Sequence, residues 1–179
     1  MPQIRFNKLM KPKDKGGVAL PNFRLYYWSA QVKHMVSWYN ERTDSRWLNL
    51  EARACAPLPI KFLPFIANTK KLKCASTSLT ISNTLWIWRD VKLYLKIPAE
   101  LTLFSPIAFN PDFPISLQNI GLSVWSKLGI SQLSCLFSGE ALKSFQEISH
   151  QYSTPQSHFF KYLQLHHFIK PLSDNGKLR

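Results

Sequence analysis

Acidic side chains are scarce in this chain and never adjacent: ten Asp and Glu stand against 23 Lys and Arg in 179 residues. Asp14, Asp44, Asp90, Asp112 and Asp174 are scattered. A two-metal polymerase or nuclease needs carboxylates converging on Mg²⁺, so that chemistry has no candidate here. Cysteine is sparse too, with Cys55, Cys74 and Cys135 far apart and odd in number. There is no C-x-x-C pair and the histidines complete no zinc spacing, so reduced, buried thiols in an intracellular protein (nucleus or cytoplasm) are expected. No run of eighteen apolar residues occurs, which speaks against a membrane span. The first fifteen residues, MPQIRFNKLMKPKDK, contain no apolar core of a secretory leader. No Gly-x-Ser-x-Gly elbow is present. Gly16-Gly17 lack the second glycine and Lys-Ser/Thr pair of a nucleotide-hydrolase phosphate loop. His166-His167 would point about 100° apart on a helix with no carboxylate near, a poor metal pair. Nothing singles out one cysteine for a Cys/His catalytic pair. The expectation is a chain with no catalysis, metal or cofactor of its own.

What is present is apolar surface and positive charge. The 45% hydrophobic and 13% aromatic content is enough for one medium domain or two small ones to offset ordering entropy by burial. The net charge of +13 is uneven: residues 1–100 hold 17 Lys/Arg against 6 Asp/Glu, and residues 101–179 hold 6 against 4. A basic front and a nearly neutral back suggest a polyanion at the front. Nucleic acid is the commonest such partner and an anionic membrane surface the next. The plain alternative is a soluble domain of high isoelectric point.

The most specific stretch is residues 11–38, KPKDKGGVALPNFRLYYWSAQVKHMVSW. Residues 1–15 read as a solvated basic arm. Lys11, Lys13 and Lys15 lead into Gly16-Gly17, where positive φ permits a sharp turn and close approach of backbone amides to a phosphate. An ordinary tight turn is the equal alternative. Asn22 is placed to cap a helix over about 23–42. Phe23, Tyr27, Ala30, His34 and Trp38 share one side of it, and Trp28, Val32, Met35 and Tyr39 an adjoining one. A helix apolar around most of its circumference is expected in a core rather than as a base-stacking platform, with His34 a satisfied core histidine. Further on, a turn of helix is expected near 47–51, prolines 57, 59 and 64 exclude a long helix, and Lys70, Lys71 and Lys73 read as a solvated loop. A second helix over about 79–96 puts Leu85, Trp88, Val91 and Leu95 on one face. Residues 101–117 read as a Pro-rich extended connector lying on the body through Phe104, Ile107, Phe109 and Phe113. The back lobe reads as helices over about 117–128, from Ser138 to 152, and from Thr154-Pro155 to 170, then a loose polar tail over 171–179. Tightly joined helices there could offer amides to a phosphate, but the neutral charge favours packing.

These residues carry a family resemblance. KGGVALPNFRLYYWSAQVKHMVSW resembles the segment just downstream of the reverse-transcriptase domain in LINE-type non-LTR retrotransposon polyproteins. The pattern there is roughly K-x-G-G-(apolar)-x-L-P-(Asp/Asn)-F-(Lys/Arg)-x-Y-Y-x-A. It is met by Gly16, Gly17, Leu20, Pro21, Asn22, Phe23, Arg24, Tyr26, Tyr27 and Ala30, with the lysine directly before the glycines as a small departure. SPIAFNPDFP, WSKLGISQLSCLFSGEALKSFQEI and YSTPQSHFFKYLQLHHFI follow the family's order of blocks, most of all its fish-like vertebrate branch. Cys135 stands where the family often has an aspartate. The similarity covers about residues 5–170.

The resemblance implies the helical region after the thumb, which supports the polymerase and lies along nucleic acid; neither the aspartate-bearing palm nor the endonuclease is in this chain. It implies a truncated element or gene-model fragment. The expected fold is mainly α, an irregular multi-helix bundle in two lobes: a basic arm (1–15), a basic helical lobe (16–100), the connector (101–117), a short-helix lobe (118–170) and the tail. The expected function is that of a non-catalytic remnant binding RNA or DNA through Lys11, Lys13, Lys15, Gly16, Gly17, Arg24 and Lys33, and packing on the missing polymerase domain. The alternative is a structural or protein-interaction fragment with no independent activity.

Overall fold

The computed structural model describes residues 6–40, 45–176 and 178, and among these the chain is mainly helical. A short helix α1 (Phe6–Leu9) precedes α2 (Phe23–Tyr39). Asn22 starts α2 as its residue type predicts: Oδ1 accepts from the Arg24 and Leu25 amides at 3.1 and 3.3 Å, two of the donors a helix start leaves unpaired. The expected end near residue 42 lies outside the described residues, and the helix stops at Tyr39. Next come α3 (Arg46–Cys55), a 3-10 turn over Ile60–Phe65 with Pro64 inside it, α4 (Lys73–Thr77) and α5 (Leu79–Tyr94). Ser78 Oγ accepts from the Ile81 amide to begin α5. Met35, Trp38, Leu63, Ile66, Ile81 and Leu85 are among the residues of one buried cluster. Cys55 and Cys74 lie in it as free thiols. A hydrogen bond between them holds the Cys74 thiol below its ordinary pKa and pushes Cys55 up.

Residues 101–117 run over the body of the molecule. They form a strap that belongs to both halves. Ile107 donates its amide to Ser131 O, while Leu133 and Ser134 donate to Ser105 O and Leu103 O. Ile107, Phe113 and Leu117 enter a second buried cluster with Trp125, Ile130, Leu133, Ile148, Leu165 and Ile169. Toward the front, the Asp112 carboxylate accepts from the Ala67 and Asn68 amides at 2.6 and 3.0 Å. Ser105 Oγ donates to Phe65 O and Lys71 Nζ to Pro111 O. Of the four side chains expected to anchor the strap, Ile107 and Phe113 are buried, whereas Phe104 and Phe109 stay about half exposed.

The back half differs from its sequence-based outline in three places. The helix predicted over 117–128 is two short ones, α6 (Ile115–Gln118) and α7 (Ser123–Lys127), separated near Gly121 at φ 73°. Ser138 caps no helix; it pairs in a two-residue hairpin, β1 (Phe137–Ser138) with β2 (Ala141–Leu142). The cap is Ser144, which begins α8 (Phe145–Tyr152) with Glu147 in a reciprocal capping box. The hydrogen bonds from the Ser144 backbone and hydroxyl hold Glu147 below the usual carboxylate pKa. Finally, α9 (Phe159–Asp174) runs through Pro171, so the start of the expected tail is helical, and Leu178 packs on the second core. Trp125, fully buried, donates Nε1 to His158 Nδ1 at 3.2 Å. Burial, and then Lys161, lower the His158 pKa and so favour the neutral ring that can accept. No helix among the described residues is long and apolar enough to cross a membrane.

The strap yields a stability test. Asp112→Ala removes the acceptor of two backbone amides and is expected to cost about 2–3 kcal/mol, since a hydrogen bond to a charged group contributes about 1.5–3 kcal/mol and this site is half exposed. Asp112→Asn is expected to recover part of it. Urea unfolding followed by tryptophan fluorescence measures both; midpoints equal to the unsubstituted chain's would show that the strap does not couple the halves.

Candidate nucleic-acid interface

The lysine loop folds back on itself. After Pro12, Lys13–Lys15 make one 3-10 turn closed by Gly16 in the left-handed region at φ 74°. The Gly16 amide donates to Lys13 O and the Gly17 amide to Pro12 O, each at 3.1 Å. Val18 and Leu20 donate to Leu9 O, and Ala19 to Lys11 O. A Cβ on Gly17 would stand 2.0 Å from Lys11 O. Both glycine amides are therefore spent inside the loop, and the close approach that Gly17 permits is to Lys11, not to a phosphate. The tight-turn alternative accounts for the glycines. What the loop offers outward is charge: Lys11, Lys13 and Lys15 are exposed, and among the described residues none has a carboxylate within salt-bridge distance.

Arg24 and Lys33 do not complete one surface with it. Nine residues put them half a turn apart and about 13 Å along the axis. Arg24 lies over the Trp28 ring, 4.5 Å from its centroid, on the side of α2 that faces the core. Lys33 is on the outer side.

The core expectation for the aromatics of α2 holds for only some of them. Trp28, Met35 and Trp38 are buried, but Phe23, Tyr26, Tyr27 and Tyr39 remain exposed, Tyr26 by 68%. The reason is how α5 meets α2. Tyr27 OH accepts from Asn83 at 2.7 Å, while its neighbour Trp28 meets Tyr94 edge-on at 5.6 Å. Partners eleven residues apart span about 16 Å of helix, so α5 lies across α2 and covers one sector of it. His34 is satisfied as expected: Nε2 donates to Glu51 Oε1 at 3.2 Å, and the ring stacks on Trp47. Trp38 Nε1 donates to Glu51 Oε2 at 2.8 Å, so this buried carboxylate serves two rings on one helix. Nothing local in the sequence marks Glu51 for that role.

A second basic surface runs along α5, beside Lys70 of the segment expected to be a solvated loop. Leu85, Arg89 and Lys92 recur at i, i+4 and i+7 and so share one stripe, which Lys96 continues past the helix end. That spacing was the available signal. Two hollows of about 330 Å³ each open on this stripe and share Thr69, Leu85 and Arg89; one adds Trp88, Lys92 and Lys96, the other Lys70, Ser76 and Trp86. The Arg89 guanidinium lies 5.9 Å from the Trp86 ring and is paired with Asp90 at 3.4 Å. Lys92 reaches Pro64 O at 3.4 Å, and burial lowers its pKa while Asp112 opposes the shift. Lys96 has φ 56°, with the Ile97 amide donating to Lys92 O, the position where glycine ordinarily ends a helix. Its left-handed backbone costs about 1 kcal/mol, which a cation at a helix C-terminus offsets only in part, by about 0.3–1 kcal/mol. Among the described residues, no group of three or more His, Cys, Asp or Glu could hold a metal ion.

The loop geometry predicts different outcomes for the two glycines. Gly17→Ala is expected to force the turn away from Lys11 and speed amide hydrogen exchange at Val18 and Leu20. Gly16→Ala, with open space around its Cβ, meets only the left-handed backbone penalty of about 1 kcal/mol. Equal protection of Val18 and Leu20 in Gly17→Ala and the unsubstituted chain would contradict the packing.

No family model matches this chain, and no solved structure matches it, so its chemistry is argued from its own residues.

Proposed function

We propose that this chain is a non-catalytic remnant of a LINE-type reverse transcriptase, from the region downstream of the thumb, that binds RNA or DNA through a basic surface at its front. The observation that carries the binding part is the lysine loop: three exposed ammonium groups on a backbone closed by its own hydrogen bonds. A phosphate chain meeting that loop releases counterions without first having to order it, so the attraction is electrostatic and insensitive to base sequence. Asp14 is the one acidic residue within the loop and leaves it strongly positive. Arg24, held over the Trp28 ring, adds its charge at the start of α2 without joining the loop's surface. Lys33 contributes on the other side of the helix, as part of the general field rather than of the same contact.

A second reading has its own observation. Phe23, Leu25, Tyr26, Val36 and Tyr39 are exposed on α2, as are Leu93, Tyr94 and Leu95 at the end of α5. An apolar surface of this kind favours a structural fragment that packs on another body, such as a polymerase domain. The two readings differ in their response to salt.

Filter binding of a mixed-sequence RNA and DNA across 50–300 mM salt separates them. Affinity is expected to fall steeply with salt. Reversing Lys11, Lys13 and Lys15 to Glu is expected to weaken binding for every sequence and to lower the log–log salt slope by about 2–3, the value for three lost phosphate contacts. Unchanged affinity in that variant, or salt-insensitive association, would favour the structural reading.

A further inference from the structure

We propose that the groove along α5 is a site for single-stranded nucleic acid, in which Trp86 stacks an unpaired base while Lys70, Arg89 and Lys96 hold the flanking phosphates. This rests on the nucleic-acid reading above but assigns a surface distinct from the lysine loop. Tyr94, which faces α2 through Trp28, lies on the other side of α5 from the Leu85–Arg89–Lys92 stripe.

Three features of the groove select this occupant. The first is its charge. Lys70, Arg89, Lys92 and Lys96 surround the two hollows; against them stand Asp90, paired with Arg89, Asp112, close enough to act on Lys92, and about half a negative charge at the end of α5. The balance stays positive, so the ligand is anionic. Lys92 is drawn inward to Pro64 O and over the Trp88 ring, so it serves as a charged wall rather than a contact. The second is the indole of Trp86, 55% exposed, with the Arg89 guanidinium over one side of the ring, so that a base would stack on the opposite side. An exposed aromatic face beside cations is the combination that holds an unpaired base and its phosphates, and it does not depend on base identity. A duplex keeps its bases stacked on each other and cannot use that face. The third is repetition. Two hollows of similar size meet at Arg89, which fits successive units of a strand better than one isolated anion.

Fluorescence anisotropy with labelled 12-mers of oligo-dT and oligo-U and a mixed-sequence duplex tests the assignment on the full chain. Trp86→Ala, a surface change, is expected to weaken single-strand binding about 5- to 150-fold, the range for one stacked base, and to leave duplex binding unchanged. Arg89→Glu with Lys96→Glu is expected to weaken single-strand binding and reduce its salt slope by about one to two. Lys96→Gly supplies the control for folding: it is expected to raise the thermal midpoint while lowering single-strand affinity several-fold. Three results would overturn the site. One is single-strand affinity unchanged in Trp86→Ala and in the double variant. Another is a duplex bound as tightly as a single strand. The third is competition by thymidine monophosphate as effective, per phosphate, as by the 12-mer. If these variants bind normally while the Lys11, Lys13 and Lys15 reversal weakens binding, the groove fails and the general reading stands. If the unsubstituted chain binds no oligonucleotide, both fail.

Discussion

The Asp112 carboxylate is where the two halves of this molecule meet. It sits in a Pro-rich strap that pairs with residues 131–134 and contributes Ile107 and Phe113 to the rear core. Its oxygens take the amides of Ala67 and Asn68, at the exit of the 3-10 turn whose Phe62, Leu63 and Ile66 belong to the front core. Lys71 adds a bond to Pro111 O in the same place. The following turn, Thr69–Lys71, is thereby held beside α5. That placement forms the wall of the two hollows. Without the strap, Arg89, Lys92 and Lys96 would be a basic stripe on an open helix, with Lys70 free to move away from them.

Elsewhere the front half depends on a polar pairing inside an aromatic setting. Glu51 is buried, yet each of its oxygens receives a ring nitrogen, from His34 and from Trp38. Burying a lone carboxylate is costly, and two donors from one helix offset that cost while fixing the rotation of α2 against α3. Fixing the rotation decides which aromatics are covered. Trp28, Met35 and Trp38 turn inward; Tyr26, opposite them, cannot. The aromatic surface left on α2 follows from the partial cover α5 provides, and it is the physical basis of the structural reading.

Much of the local structure was legible in the chain. Asn22 and Ser78 begin their helices where the capping chemistry places them, the prolines at 57, 59 and 64 hold residues 56–66 to short turns, and Gly16 takes the left-handed conformation. Errors arose where two local signals competed. Ser138 and Ser144 both lie ahead of the Phe145–Tyr152 run, but only Ser144 is followed directly by an apolar residue and has a Glu three positions on to return its hydrogen bond. In the strap, three prolines keep out a long helix, but the chain runs in short turns rather than the extended run expected and enters α6 at Ile115; Asp112 carried the information that the chain was also an anchor, and no local pattern marks a carboxylate for amides 44 and 45 residues away.

The candidate interface divides along the same line. Lysine content, the glycine turn, helix starts and the uneven charge are properties of neighbouring residues, and short-range hydrogen bonding and steric freedom determine them from sequence alone. Which amides remain free, which face of α2 stays uncovered, and whether Lys70 stands beside Arg89 depend on contacts between residues far apart in the chain. Those contacts are set by the packing of whole helices. Tertiary structure therefore took the glycine amides of the first candidate site for the loop itself, left its lysines exposed, and assembled a second basic surface from residues that look like ordinary solvated lysines and a helix end.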